Sequence, residues 1–274
     1  MTRFADLHIH TDYSDGTMSP REIVQGSIPA GLTCLSITDH DTVDGIDPAI
    51  SAAKDFDIEV IPGIELSAEM AGKDIHILGY FLDHQNKTFI LELQQIQEAR
   101  QDRIRQMIQN LKKQGIDNID FEEVASLARS KSVGRPHLAM MLQKKGWVGS
   151  IRGAFDKYIG EDCLAYVEKF KQTPYEAIGL IRKFGGVAVL AHPMVTLRDE
   201  LIPSFVDAGL SGLEVFYPNQ SSSIIKYYQG LAVKYNLIMT GGSDFHGENK
   251  DNTYLGKSKV SYQIVEDLKI AAGI

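Results

Sequence analysis

The sequence is poor in cysteine: two thiols, Cys34 and Cys163, stand among 274 residues, and no C-x-x-C pair occurs. Neither a disulfide framework nor a thiolate metal site is indicated, and both cysteines are expected to be reduced. Long apolar runs are also missing. Nothing approaches the roughly 18 consecutive apolar residues of a membrane span. The first residues, Met1 to Asp6, carry no apolar signal region, so the expectation is a cytoplasmic protein. There is no long internal repeat and no low-complexity linker. Nor is there an excess of positive charge: the net charge is -8, which argues against bulk attraction to nucleic acid. What remains is an ordinary globular composition, 43% hydrophobic and 23% charged. The chain is long enough for one large domain or one domain carrying an insertion.

What is present begins at residue 4. Phe4, Leu7 and Ile9 have strand character, and residues two apart on a strand project to one face, so His8 and His10 point together and can share a cation. A polar turn closed by Gly16 follows, in which Asp15 can swing back over the same spot and add a hard oxygen ligand. Taken alone, an H-x-H is equally a histidine-rich strand end. The rest of the chain decides between the two.

Ser19-Pro20-Arg21-Glu22 reads as a cap, a proline at the first helical position and a glutamate at the third, for a helix that stops near Gly31. Leu32 to Thr38 is a buried strand running into Asp39-His40-Asp41-Thr42, and a helix over about Val43 to Phe56 carries the chain back. A third strand, Ile58 to Ile64, ends at Glu65; Lys73 to Phe81 reads as a fourth, with His76 inside it. This alternation predicts parallel strands with covering helices, whose functional groups collect at the C-terminal strand ends.

From Thr88 the texture changes to one long amphipathic helix ending at Gly115, then shorter helical pieces near Phe121 to Ala128, Pro136 to Lys144 and Ser150 to Tyr158. Residues 85–171 therefore read as a helical insertion between a first part, 1–84, and a second, 172–274. In the second part Thr173-Pro174-Tyr175-Glu176 opens a helix that ends at Gly185-Gly186, and the strand Val187 to Ala191 runs into His192-Pro193. Helices near Asp199 to Ala208 and Ser222 to Tyr235 frame the strand Gly212 to Phe216, which contains Glu214. The strand Leu237 to Thr240 precedes Asp244 and His246, which repeat the spacing of the opening pair. The insertion carries 15 Lys and Arg against 11 Asp and Glu, the remainder 13 against 25. Much of that negative excess falls where metal ligands would be, and divalent cations would offset it.

Collected, the strand-end residues are His8, His10, Asp15, His40, Glu65, His76, His192, Asp244 and His246. They offer nitrogen and oxygen donors without sulfur, a set suited to Zn, Mn or Fe. The motifs D-L-H-I-H-T-x-Y-S-D-G, T-D-H-D-T, P-G-I-E, A-H-P and G-S-D-F-H-G lie on both flanks of the insertion and resemble the polymerase-and-histidinol-phosphatase (PHP) family of metal-dependent phosphoesterases. The resemblance implies an α/β fold, a distorted (β/α)7 barrel, with two or three divalent ions at its C-terminal mouth. It further implies that His8, His10, Glu65 and Asp244 hold one ion. Glu65 would bridge to a second held by His76 and His192, and Asp15, His40 and His246 would hold a third. No position of that pattern is substituted, so an active enzyme is expected.

The insertion and the run Gly134-Arg135-Pro136-His137 resemble a subgroup of nucleotide phosphatases and 5′-to-3′ exonucleases that act on 3′,5′-bisphosphates or short RNA and DNA. Charge points the same way. Val124 to Phe155 contains no acidic residue, while Arg129, Lys131, Arg135, Lys144, Lys145 and Arg152 are basic. Arg135 can fork two hydrogen bonds to a phosphate, and His137 can add a third or protonate a leaving oxygen. The expected reaction is hydrolysis of nucleotide phosphate esters by a metal-bound hydroxide, without a covalent intermediate. Two rivals are a phosphatase for a small non-nucleotide monoester such as histidinol phosphate and a metal-dependent nucleic-acid-binding module without turnover. An amidohydrolase-like enzyme is disfavoured, because a basic insertion has no evident use there. Asp39 and Asp41 are expected to orient His40 or cap the next helix, Glu214 to support a ligand or the structure, and His84 to lie on the surface. Tyr13, Trp147 and Tyr217 can stack on a base but are more often core or rim.

Overall fold

The computed structural model of the chain describes residues 3–168 and 172–274; the last residues of the expected insertion, 169–171, lie outside them. Strands β1 (Phe4–Ile9), β2 (Cys34–Ile37) and β3 (Glu59–Met70) run parallel, linked by helices α1 (Pro20–Ser27) and α2 (Ile46–Ala53). β4 (Lys73–Tyr80) is antiparallel both to β3 and to β5 (Val187–Leu190). The parallel direction resumes through β5, β6 (Gly212–Phe216) and β7 (Ile238–Gly241). Just past β7, Phe245 bridges Ile9 in parallel, while the short antiparallel β8 (Val260–Ser261) covers the start of β1. The outer edge of β1 is thus covered in two halves, and the sheet curls into a nearly closed, distorted barrel.

Helices begin where their first amides find acceptors. Ser19 and Thr173 form reciprocal capping boxes: their amides donate to Glu22 Oε2 (2.8 Å) and Glu176 Oε2 (2.7 Å), and each hydroxyl accepts in return, with proline at the first helical position. Asn86 caps α3 (Lys87–Lys113) by accepting from Thr88 and Phe89. The insertion continues with α4 (Phe121–Ala125), α5 (Arg135–Lys144) and α6 (Ile151–Ala154). Where a continuous helix to Tyr158 is expected, α6 widens into a π-turn at Phe155–Ile159. The barrel part then adds α7 (Pro174–Lys183), α8 (Pro193–Thr196), α9 (Ile202–Asp207), α10 (Ser222–Lys234) and α11 (Gln263–Ala272).

The expected strand–helix alternation breaks at β3 and β4, which form a hairpin. Its corner is Ala71-Gly72, both at positive φ (52° and 74°), the geometry of a primed two-residue turn built without the usual Asn or Asp. β3 consequently runs on to Met70 instead of ending at Ile64, and His76 faces Ser67 from the reversed strand. The reversal brings His76 to the same end of the barrel as Glu65.

Burial follows three clusters. Ile9, Leu35, Ile37, Ile64, Ile77 and Leu213 pack against the outer helices, and Ala5, Leu7, Ile61, Tyr80 and Val189 form a second set with Val265 and Leu268 of α11. The third lies wholly within the insertion, between Ile104 and Val167. α3 joins two of them: Phe89 and Leu93 belong to the barrel cluster, Ile104, Met107, Ile108 and Leu111 to that of the insertion. Among the described residues no helix is long and apolar enough to cross a membrane.

Candidate metal centre

β1 delivers His8 and His10 to one face, and their Nε2 atoms approach to 3.1 Å. Glu65 Oε2 lies 3.2 and 3.1 Å from these two nitrogens, and Asp244 Oδ1 lies 3.5 and 3.3 Å from them. A tetrahedral ion with bonds of about 2.1 Å has ligand atoms about 3.4 Å apart, so these four atoms have the spacing of one coordination shell. The other oxygen of Glu65, Oε1, faces His76 Nδ1 at 2.9 Å and His192 Nε2 at 3.1 Å. Asp15 faces the remaining pair, with His246 Nε2 3.4 Å from Oδ1 and His40 Nε2 3.8 Å from Oδ2. The sets overlap: by distance alone His8, His10 and Glu65, then His40, Glu65 and His76, then His10, Asp15, His40 and His246 could each hold an ion.

These residues fit a divalent metal. Among the described residues His10 Nδ1, Asp15 Oδ1, His40 Nδ1 and His192 Nδ1 are buried without a hydrogen-bond partner, a costly arrangement for polar atoms unless something else satisfies them. Imidazole and carboxylate donors without thiolate are what Zn, Mn and Fe accept.

Other groups hold these side chains in place. His8 Nδ1 donates to Glu214 Oε1 (2.9 Å), which turns Nε2 toward the centre, and the His192 amide donates to Glu214 Oε2 (2.8 Å). Asp39 accepts from the Thr11 amide (2.7 Å), the Thr11 hydroxyl (2.7 Å) and the Ser14 hydroxyl (2.6 Å), folding the loop that carries Asp15. Asp41 accepts from the Ser67 amide (2.8 Å) and from Arg100 Nη1 (2.5 Å). The backbone is bent at the site, with positive φ at Asp41 (52°), His192 (27°) and Asp244 (49°), conformations that cost free energy outside glycine. Gly242 allows β7 to press on β1, since a Cβ there would lie 2.4 Å from His8 Cβ.

Charge is balanced within the cluster. Burial raises the carboxyl groups, but His246 and His40 hold Asp15, His40 and His8 hold Glu65, and Lys250 and His8 hold Asp244 well below the usual carboxylate range. Burial likewise opposes charge on His10, yet hydrogen bonds to Asp244 and Glu65 lift it to about 9. Burial drives His40 the other way, well below its ordinary value. The acids stay ionised and so remain competent to ligate.

A pocket opens beside the centre. Asp15, His40 and His76 form its floor, and Arg100 and Arg103 of α3 face them together with Arg135 of α5, beside the apolar Ile104 and Phe155. Arg135 Nη2 donates to Asp74 Oδ2 at 2.9 Å. Burial and the adjacent Arg135 press Arg103 down to about 10, the mark of crowded positive charge. Among the described residues Arg103 Nη2 and Arg100 Nε are buried without hydrogen-bond acceptors. Sequence reasoning reached Arg135 but missed Arg100 and Arg103. The available signal was Arg100 interrupting the stripe of Leu93, Ile104, Met107 and Leu111 on α3, where an apolar residue is due.

His137 stands elsewhere than expected. It is buried, its Nδ1 accepts from the Gly134 amide (3.1 Å), and its Nε2 donates to the Ser14 carbonyl (2.7 Å). With both nitrogens bound to backbone it has no free donor for phosphate or a leaving oxygen; it pins the insertion onto the loop of Asp15. Burial lowers its pKa and favours this neutral form. Trp147 packs at the edge of the insertion core with Nε1 donating to Asn118 (2.8 Å), Tyr217 donates to Asp244 Oδ2 (2.8 Å), and His84 pairs with Asp47 (3.0 Å).

A barrel with such a centre has the make-up of a metal-dependent hydrolase, and comparison with known proteins narrows the class to metal-dependent phosphoric ester hydrolases. The PHP domain family matches residues 6–173. The chain is 34% identical to a 5'-3' exoribonuclease of Haemophilus influenzae, over 90% of this chain and 91% of that one. It is 30% identical to a 3',5'-nucleoside bisphosphate phosphatase of Chromobacterium violaceum, over 93% and 91%. A Bifidobacterium adolescentis protein assigned as a metal-dependent phosphoesterase superposes with a TM-score of 0.89 at 28% identity, covering 98% of this chain and 96% of that one. The chain belongs to the PHP domain family.

Proposed function

We propose that the protein hydrolyses phosphate esters of nucleotides, namely 3′,5′-nucleoside bisphosphates or short 5′-phosphorylated oligonucleotides, with two or three divalent ions drawn from Mn, Fe and Zn. The observation that carries this reading is a floor of imidazoles and carboxylates facing three arginines, two of which keep buried N–H groups without an acceptor. A phosphate supplies oxygens for these N–H groups, and a planar guanidinium meets it at two points. Phe155, partly exposed in the same pocket, offers apolar surface to the sugar and base. The names of the two relatives above, an exoribonuclease and a nucleotide phosphatase, support the same substrate class. In this reading residues 85–171 serve as the substrate cap, and 1–84 with 172–274 form the catalytic barrel. The unpaired thiols Cys34 and Cys163 suit a reducing compartment, the cytoplasm.

His8, His10, Glu65 and Asp244 would hold one ion, Glu65, His76 and His192 a second, and Asp15, His40 and His246 a third. Bound divalent ions supply Lewis acidity toward phosphoryl oxygens and lower the pKa of a water near neutrality. Arg100, Arg103 and Arg135 hold the phosphate against the floor of the pocket and offset the charge that builds on its oxygens. Glu214 and Asp39 keep the ligand-bearing segments from relaxing between turnovers.

The test is incubation of Mn-reconstituted protein with adenosine 3′,5′-bisphosphate, a 5′-phosphorylated RNA trinucleotide and histidinol phosphate, with chromatographic identification of products. Loss of the 3′ phosphate, or mononucleotides released stepwise from the 5′ end, is the expected result. Turnover of histidinol phosphate alone would overturn the nucleotide reading. Full activity after metal stripping would overturn the metal chemistry.

A further inference from the structure

Lys250 contacts the centre without a part in the chemistry described so far. Asp244 has two unlike oxygens: Oδ1 faces His8 and His10, while Oδ2 accepts from the Tyr217 hydroxyl at 2.8 Å and is ion-paired with Lys250. Lys250 Nζ also donates to the Tyr217 oxygen (2.8 Å) and lies 5.3 Å from the centre of that ring. The lysine is delivered there by an anchored turn. Past His246 the chain bends at Gly247 (φ 66°), the Glu248 amide donates to Thr17 Oγ1 (3.1 Å), and Asn249 Nδ2 donates to the Asp15 carbonyl (2.7 Å). Lys250 follows directly. Asp244 is nearly buried, so an ammonium fixed on its outer oxygen governs how that carboxylate can be used.

We propose that Lys250 is a positioning residue for Asp244: together with Tyr217 it occupies Oδ2, so that Asp244 presents only Oδ1 to an ion shared with His8 and His10. The inference rests on the metal reading given above. A carboxylate that binds through both oxygens fills two places around an ion, whereas a catalytic ion needs a place left open. The fixed positive charge also weakens the hold of Asp244 on a cation. Lys250 therefore lowers metal affinity and keeps the coordination shell open.

Lys250→Met keeps the length of the side chain and removes the charge. Mn(II) binding to metal-stripped protein, followed by the electron paramagnetic resonance of free Mn(II), is measured beside kcat. The expected result is affinity raised by about tenfold, the order expected when one positive charge is removed from beside a ligand carboxylate, with kcat reduced. Lys250→Arg should restore both. Damage to the fold would lower affinity and kcat together, so the opposed signs separate positioning from a merely structural role. Unchanged or weaker Mn(II) binding in Lys250→Met, with the natural protein binding normally, would overturn the assignment. If the natural protein itself binds no stoichiometric Mn(II), the metal reading fails instead. Should Lys250→Met not fold, Tyr217→Phe removes one hydrogen bond from Oδ2 without changing charge. A smaller gain in affinity is then expected, and a loss would overturn the proposal.

Discussion

Arg100 ties the insertion to the barrel through a buried charge, and its removal has a calculable cost. Its Nη1 donates to Asp41 Oδ2 at 2.5 Å and to Ser67 Oγ at 3.0 Å. Asp41 is fully buried, and beyond Arg100 its carboxylate receives the Ser67 amide at 2.8 Å. Arg100→Met keeps the aliphatic stem and strips the guanidinium, which leaves a buried carboxylate with one backbone donor. Breaking a buried pair in this way costs about 3–5 kcal/mol. A loss of that size is equivalent to a fall in melting temperature of about 6–20 °C at about 2–4 °C per kcal/mol. Urea denaturation of the natural protein, Arg100→Met, Asp41→Asn and the double variant at pH 7 measures this. A deficit under about 1 kcal/mol, or strict additivity in the double variant, would refute the reasoning.

Glu65→Gln replaces an anion that approaches nitrogens of His8, His10, His40, His76 and His192 within 3.2 Å. Mn(II) affinity and turnover should each fall by at least about a hundredfold, and equilibrium dialysis that finds the full metal complement at natural affinity would contradict the bridging role. Arg135→Ala should raise KM for a nucleotide phosphate by about tenfold to a hundredfold, the value of a charge-assisted hydrogen bond. A fall confined to kcat would instead place Arg135 on the transition state. Burial pushes the Cys34 thiol up, whereas Cys163 is partly exposed. Alkylation of native protein at pH 8 should modify Cys163 and spare Cys34, as read by mass spectrometry, and rapid modification of both would show that β2 opens readily.

Much of the barrel is written locally. Ser19-Pro20 and Thr173-Pro174 signal helix starts because cap and proline act within one turn. The histidines at strand ends are conspicuous because a strand has a period of two and these positions interrupt apolar runs. What sequence reasoning misses depends on distant partners. The hairpin at Ala71-Gly72 lacks an Asn-Gly or Asp-Gly signal, so β4 reads as another parallel strand. His137 looks like a substrate group because no local feature reveals that the Ser14 carbonyl, 123 positions away in sequence, takes its Nε2 hydrogen. Arg100 and Arg103 hide in a helix rich in charge, and only their placement opposite Asp15 and His76 gives them meaning. Lys250 follows the last histidine by four residues, yet nothing in its neighbours announces the ion pair with Asp244.

The 27 residues of α3 make a beam about 40 Å long. Its foot is cemented into the barrel by Phe89 and Leu93, and its far half carries the insertion on Ile104, Met107, Ile108 and Leu111. Arg100 and Arg103 sit on the span between these footings. Bending the beam there would break its own ladder of hydrogen bonds, so the distance from these two arginines to the histidines below is set before any substrate arrives. Under the proposed function, the protein measures its substrate as a fixed calliper does. Molecules that place phosphate within that span engage both jaws, and those that cannot are left touching one.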